Sequence, residues 1–318
     1  MGNRTRVYFV TDVHGSEKCF RKFVNAAKFY EAQVLVLGGD ITGKMVIPII
    51  DQDDGSYHCR FLGNELVLKS KEELDGTITN IRDAGFYPHM SNPQEVAELT
   101  ADKPKIDALF EKLMVESIDR WVRLADERLS GTNVKCFISP GNDDILAIDS
   151  HLTNTGVVVN PEAKVVQVDD SHEMITLGYT NHTPWNSPRE VDESRLELML
   201  EEMCGKVRNM ENCIFNIHCP PIQTIIDQAP GLDSTLKPIV KGGQIQMTDA
   251  GSSATRKVIE KYQPLAGLHG HIHESRGVVK IGRTSCFNPG SEYTEGILRG
   301  LVIDIEDNKI KNYAFTAG

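Results

Sequence analysis

The chain has 318 residues, 40% of them hydrophobic and 25% charged, the balance of a soluble globular protein large enough for one α/β domain with an insertion or for two ordinary domains. Its formal net charge of −11 argues against a general phosphate-backbone binder, which displays a basic stripe and a high pI. The first residues, MGNRTRVYFVTD, run straight into a strand pattern with no long apolar core. Neither a signal peptide nor a membrane span is expected there, and MGNRTR fits the myristoylation pattern poorly. Seven cysteines (Cys19, Cys59, Cys136, Cys204, Cys213, Cys219, Cys286) are odd in number and lack C-x-x-C spacing, so reduced thiols in a cytoplasmic protein are expected.

The first elements in chain order form a strand, helix, strand unit. RVYFVTD (6–12) is a short apolar run. SEKCFRKFVNAAKFYEA (16–32) carries apolar residues at helical spacing behind a serine able to cap it, and VLVLGGD (34–40) reads as a second buried strand. Two strands joined by a helix imply parallel pairing. From 45 to 70, MVIPIIDQDDGSYHCRFLGNELVLKS reads as two or three short strands broken at DDG and GN, followed by polar helical stretches and a long helix near 104–130. That helix carries an apolar stripe (Ile106, Leu109, Phe110, Leu113, Ile118) expected to face a core or an interface. Residues 45–115 exceed what a simple crossover needs and read as an inserted, cap-like segment.

VKCFISPGN (134–142), NCIFNIHC (212–219) and PLAGLHGH (264–271) read as further buried strands. Between them TNHTPWNSPRE (180–190) is irregular by its prolines and asparagines. The tail alternates like antiparallel strands, with turns at Asn288–Gly290 and Asp307–Asn308.

Each buried strand ends in polar residues: Asp12 and His14, then Asp40, then Asn142 and Asp143, then His218, then His271 and His273. Taken singly these are weak signals, since Asn, Asp, Gly and Pro also punctuate ordinary turns. His271 and His273 are two residues apart in an extended segment and point to one side. In open parallel sheets such strand ends gather where ligands bind.

The ordered set D-V-H, G-G-D, G-N-D, H-C-P-P and G-H-I-H resembles the calcineurin-like metallophosphoesterase family, from Asp12 to about Ser291. The resemblance implies an α/β fold in which two sheets pack face to face between helices, with a pair of divalent metal ions at the strand ends. It implies one ion on Asp12, His14, Asp40 and His273 and a second on Asp40, Asn142, His218 and His271. NPGS (288–291) is similar to the family's loop after its last histidines. The chemistry agrees: one carboxylate bridges two cations roughly 3.5–4 Å apart, and imidazole with carboxylate suits Mn, Fe or Zn without choosing among them.

Two departures stand out. Asp143 occupies the place where many members carry a histidine that protonates the leaving group or holds phosphate; an aspartate is an acceptor at neutral pH and does not readily donate. Thr42 and Gly43 stand where an acid usually follows G-D, which puts its supporting role in doubt. Other candidates are His182 as a proton donor, Trp185 as a substrate contact or loop packing, and Arg189 as a phosphate fork or, more plainly, a solvated arginine. His269, beside G-H-I-H, lies outside the motif, and Pro220 and Pro221 stiffen the loop after His218.

The expected activity is hydrolysis of a phosphate ester by a dimetal-activated hydroxide, a phosphodiester more than a monoester, on a small-molecule substrate. The alternatives are a nuclease of the same fold, disfavoured by the acidic balance, and a non-catalytic metal-binding scaffold. No membrane partner is expected, and oligomerisation would run through the insertion.

Overall fold

The structure, a computed structural model, describes residues 4–153 and 156–318. The first three residues of the partial myristoylation match therefore lie outside the described residues. No helix among the described residues is long and apolar enough to cross a membrane, and all seven cysteines are free and buried.

In chain order the elements are β1 (Arg4–Val10), α1 (Glu17–Phe29) and β2 (Val34–Gly38); then β3 (Val46–Asp51), β4 (Tyr57–Phe61), β5 (Asn64–Leu68), α2 (Lys71–Asp83), β6 (Tyr87–Ser91), α3 (Pro93–Ala101) and α4 (Lys103–Leu129). There follow β7 (Lys135–Ser139), β8 (Val158–Val159), β9 (Val165–Gln167), β10 (Glu173–Leu177), α5 (Glu193–Cys204) and β11 (Cys213–Ile217). The chain ends with β12 (Gln228–Pro230), β13 (Val240–Lys241), β14 (Gln244–Ile245), β15 (Met247–Asp249), α6 (Ser253–Tyr262), β16 (Ala266–Leu268), β17 (Gly277–Ile281), β18 (Thr284–Asn288), β19 (Arg299–Glu306) and β20 (Lys309–Ala317).

Two six-stranded sheets carry the fold, in the orders β20-β19-β1-β2-β7-β8 and β17-β18-β16-β11-β10-β9. The strands β1-β2-β7-β8 of one and β10-β11-β16-β18 of the other run parallel, with antiparallel β19 and β20 at one margin of the first sheet and antiparallel β17 and β9 at the two margins of the second. The two-residue period of a strand divides the apolar side chains between layers. Val7 and Phe9 of β1 join Phe137, Met174, Ile214 and Phe287 in a core between the sheets, whereas Tyr8 and Val10 face α1 and α4. The far side of the second sheet is covered by α5 and α6 through Leu196, Leu200, Val258 and Ile259. The expected two-sheet sandwich between helices is what the molecule forms.

Local chemistry sets the element ends. Ser16 caps α1 by accepting the Cys19 N–H at 3.3 Å, and the helix buries Cys19, Phe20, Phe23 and Val24 on one face. Phe20 stacks on Trp121 of α4 with ring centroids 4.2 Å apart. The long segment after β2 builds a four-stranded sheet, β5-β4-β3-β6, over its own core of Ile47, Ile49, Phe61, Leu68 and Ile81. Its last helix does not stop at a boundary. In α4 the stripe is half-buried from Ile106 to Leu113, with Phe110 edge-on to Tyr87, and fully buried from Met114 to Leu129 against α1. One helix thus belongs to the inserted segment at one end and to the sandwich at the other.

Candidate metal centre

The parallel strands of both sheets end at the same edge, and the loops beyond those ends interlock. Asp12 N–H donates to the Gly39 carbonyl at 3.0 Å, His14 N–H to the Asp40 carbonyl at 2.9 Å, and Gly270 N–H to the His218 carbonyl at 2.9 Å. Asp12, His14, Asp40 and His271 all adopt left-handed backbone, at φ 55°, 38°, 51° and 67°. Non-glycine residues are held there at a cost of about 1–3 kcal/mol each, and such residues cluster at functional sites. Gly141 allows a close approach: a Cβ there would lie 2.3 Å from the Asp40 carboxylate.

The side chains converge accordingly. Asp12, His14 and His273 offer donor atoms that all lie within 4.8 Å of one another, and so do Asp40, His218 and His271. The Nε2 atoms of His14 and His273 are 3.0 Å apart, and Asp12 Oδ1 lies 3.4 Å from His273 Nε2. Asp40 faces both groups, with Oδ2 3.7 Å from His14 Nε2 and Oδ1 3.5 Å from His218 Nε2. Asn142 Oδ1 sits 2.8 Å from His271 Nδ1, while its amide nitrogen donates to Asp143 and to Ser187 Oγ, each at 3.1 Å, which turns the oxygen toward the histidine.

These residues fit divalent cations on two observations. His218 donates from Nδ1 to the Gly38 carbonyl at 3.0 Å, leaving Nε2 buried and, among the described residues, without a hydrogen-bond partner. A backbone carbonyl fixing one ring nitrogen so that the other presents a lone pair is the usual support of a ligating histidine. The second observation is charge. Asp12 and Asp40 are only 1% and 3% exposed, and carboxylates so buried are costly unless cations offset them. Burial opposes charge on His218, yet Asp40 and Asp12 push it up to about 10, a measure of how strongly the site favours positive charge. Burial takes His14 down to about 3 and His271 down to about 4, so both rings are neutral and able to donate a lone pair.

No family model matches the chain. It is 29% identical over 177 residues to the uncharacterized protein MJ1162 of Methanocaldococcus jannaschii, a match covering 55% of this chain and 70% of that protein. One solved crystal structure superposes on 99% of both chains at a TM-score of 0.58 and 16% identity. The crystal structure of TT1561 of Thermus thermophilus also covers 99% of both, at a TM-score of 0.53 and 12% identity. With two sheets face to face between helices and the donors gathered at their shared edge, the architecture is decided. The fold is that of the calcineurin-like metallophosphoesterases.

Within this metallophosphoesterase fold the "GNDD" stretch divides its work. Asp144 is buried and accepts from Gly141 N–H (2.7 Å), Ile41 N–H (3.0 Å), Thr42 N–H (2.8 Å) and Thr42 Oγ1 (2.6 Å), tying the loop after β7 to the loop after β2. Thr42, which stands where an acid usually follows G-D, thus supports the site through Asp144. Asp143 lies within 4.8 Å of donor atoms of His14 and Asp40, and its backbone N–H donates to Asp40 Oδ1 at 3.0 Å. The NPGS loop braces the opposite wall: Asn288 Nδ2 donates to the carbonyls of Gly270 and Ile272, and Ser291 Oγ to that of Asp12.

The other expected residues scatter. His182 is exposed, with ring nitrogens 3.1 Å from Asp192 and 3.6 Å from Glu190, carboxylates outside the donor groups. Trp185 is exposed in the same loop. His269 is buried with Nδ1 donating to the Ile217 carbonyl at 2.7 Å, away from the donor groups. Arg189 corrects the expectation of a solvated arginine: it is 1% exposed, because Asp149 and the carbonyls of Asp144 and Ile145 satisfy its guanidinium. Sequence reasoning missed Lys44, Ser187 and Tyr293, whose ring centroid lies 4.8 Å from that of His14. Only Lys44 carried a signal, as a cation four residues after the candidate ligand Asp40.

Proposed function

We propose that the protein is a metal-dependent phosphoric ester hydrolase that holds two divalent ions and prefers phosphodiesters to monoesters. The observation that carries this reading is Asp40, whose two oxygens face His14 on one side and His218 on the other. Two ions on such a centre would neutralise the phosphoryl oxygens and lower the pKa of a bound water from 15.7 to about 7. Asp12, His14 and His273 would hold one ion and Asn142, His218 and His271 the other, with Asp40 shared. The chain's own contribution is positional: Asn142 keeps its oxygen aimed through Asp143 and Ser187, and His218 keeps its tautomer through Gly38.

Asp143 adds a preference for good leaving groups, whichever the ester class. With no histidine there to protonate a leaving alkoxide, good leaving groups should dominate, since a positioned general acid contributes about 10²–10⁴ in rate. The test is elemental analysis of the protein loaded with Mn, Fe or Zn, followed by hydrolysis of an aryl phosphodiester, an aryl monoester and an alkyl monoester. Two metals per chain and the order aryl diester over alkyl monoester are expected. Two metals without hydrolysis of any ester would make the protein a binding scaffold.

A further inference from the structure

Lys44 is the residue at which the chain leaves the sandwich for the inserted sheet, and its ammonium returns to the metal centre. Nζ lies 2.9 Å from Asp143 Oδ2, while Asp143 Oδ1 accepts from Ser187 Oγ at 2.8 Å and from the Asn142 amide at 3.1 Å. Asp143 belongs to a donor group with His14 and Asp40, so the ammonium stands at the rim of that group. The lysine side chain is 46% exposed. An ammonium has three donors, and Asp143 takes one of them.

The backbone beneath Lys44 is fixed from both sides. Ile41 and Thr42 are tied to Asp144 by the hydrogen bonds given above. Gly43 N–H donates to Tyr87 Oη of β6 at 2.7 Å, and a Cβ on Gly43 would come 2.2 Å from the Gly85 carbonyl. The contact therefore admits only glycine, and the inserted segment, through Gly85 and Tyr87, sets where Lys44 starts.

We propose that Lys44 is a substrate-contacting residue whose ammonium binds a non-bridging phosphoryl oxygen of the ester, and that Asp143 is the residue that positions it. The inference rests on the phosphoesterase reading and deepens it. At Asp143 the chain has a carboxylate holding a cation. A lysine there is a permanent point charge and binds phosphate as such. It strengthens binding of the phosphoryl group.

The test uses the full chain loaded with Mn, as wild type, Lys44→Met, Lys44→Arg and Asp143→Asn. Inorganic phosphate binding is measured by calorimetry, metal content by elemental analysis, folding by thermal midpoint, and KM and kcat on an aryl phosphodiester. Loss of one charge-assisted hydrogen bond predicts phosphate binding weaker by about tenfold or more in Lys44→Met, at unchanged metal content and midpoint. Lys44→Arg should keep most of the affinity, and Asp143→Asn should fall between. Wild-type phosphate affinity in Lys44→Met overturns the contact. A loss of metal in either variant that accounts for its weaker binding also overturns it, and in Asp143→Asn makes Asp143 a metal ligand. Wild-type affinity in Asp143→Asn removes the positioning role. If the wild-type protein neither binds phosphate nor cleaves the diester, the phosphoesterase reading itself has failed; if it does both and Lys44→Met matches it, only Lys44 has.

Discussion

Asp40 lies between two imidazoles that themselves do not touch, and a change there should be felt on both sides of the centre. Asp40→Asn is expected to lower metal occupancy at both positions, by at least the roughly 10–100-fold in affinity that loss of a supporting partner costs. Asp12→Asn should act mainly at one, because its carboxylate groups with His14 and His273. Elemental analysis after dialysis reads the difference, and two metals bound with wild-type affinity by Asp40→Asn would break the shared assignment. The seven residues proposed as donors stood out in the sequence as polar ends of apolar strands, in an order that resembles the metallophosphoesterase pattern. Each sits within a few residues of the end of an apolar strand, where a buried run gives way to a loop. Asp144, Ser187 and Arg189 were not legible, because their roles depend on which loops meet. Asp144 reaches Thr42, 102 residues away in sequence. Arg189 looks solvated until the carbonyls of Asp144 and Ile145 are placed against it.

At the scale of elements, the helix near 104–130 was readable from its apolar stripe, and α4 runs from Lys103 to Leu129. What the stripe does not say is that its two halves pack on different bodies. β6 escaped notice because Tyr87–Ser91 contains a proline and a histidine, and it is a strand only by parallel pairing with β3. The small strands β12 to β15 escaped because the chain from 228 to 249 is largely exposed and short of alternation. The division of α4 makes a stability prediction. Trp121→Ala removes a buried ring stacked on Phe20 and should cost about 3–5 kcal/mol, read as a lower urea midpoint. Phe110→Ala, half-buried against Tyr87 at the inserted end, should cost clearly less. Equal losses would mean that the inserted segment and the sandwich unfold as one unit with equally dense packing.

Across the whole molecule, the two sheets are locked together at the end opposite the candidate metal centre. His172, in the turn between β9 and β10, has Nδ1 2.7 Å from Asp169 Oδ2 and Nε2 2.6 Å from the Asp307 carbonyl in the turn between β19 and β20. Asp169 also accepts from Thr5 Oγ1 of β1 at 2.5 Å. Both ring nitrogens face acceptors, and only the protonated imidazole donates from both. Burial lowers the histidine, but the bonds to Asp169 and Asp307 outweigh it and raise it above its ordinary value. Burial raises Asp169, and its bonds to His172 and Thr5 outweigh that and hold it below the usual carboxylate range. The signs then fix the window. A raised histidine stabilises fully below its unfolded value of about 6.5, and the contribution is lost as pH climbs through the folded value. A lowered aspartate contributes fully above about 3.9 and loses that contribution as pH falls. The clamp is therefore complete between about pH 4 and 6.5 and weakens on the alkaline side as the histidine loses its proton. Comparing wild type with His172→Gln, which carries no charge at any pH, cancels every other titrating group. At about pH 5.5 the wild type should be more stable by about 2 kcal/mol, the worth of a hydrogen bond to a charged group. By about pH 9 that gap in urea unfolding should have shrunk markedly. A gap that stays constant across that range would mean that the folded protein holds His172 neutral, and that the sheets are joined there by a single ordinary hydrogen bond.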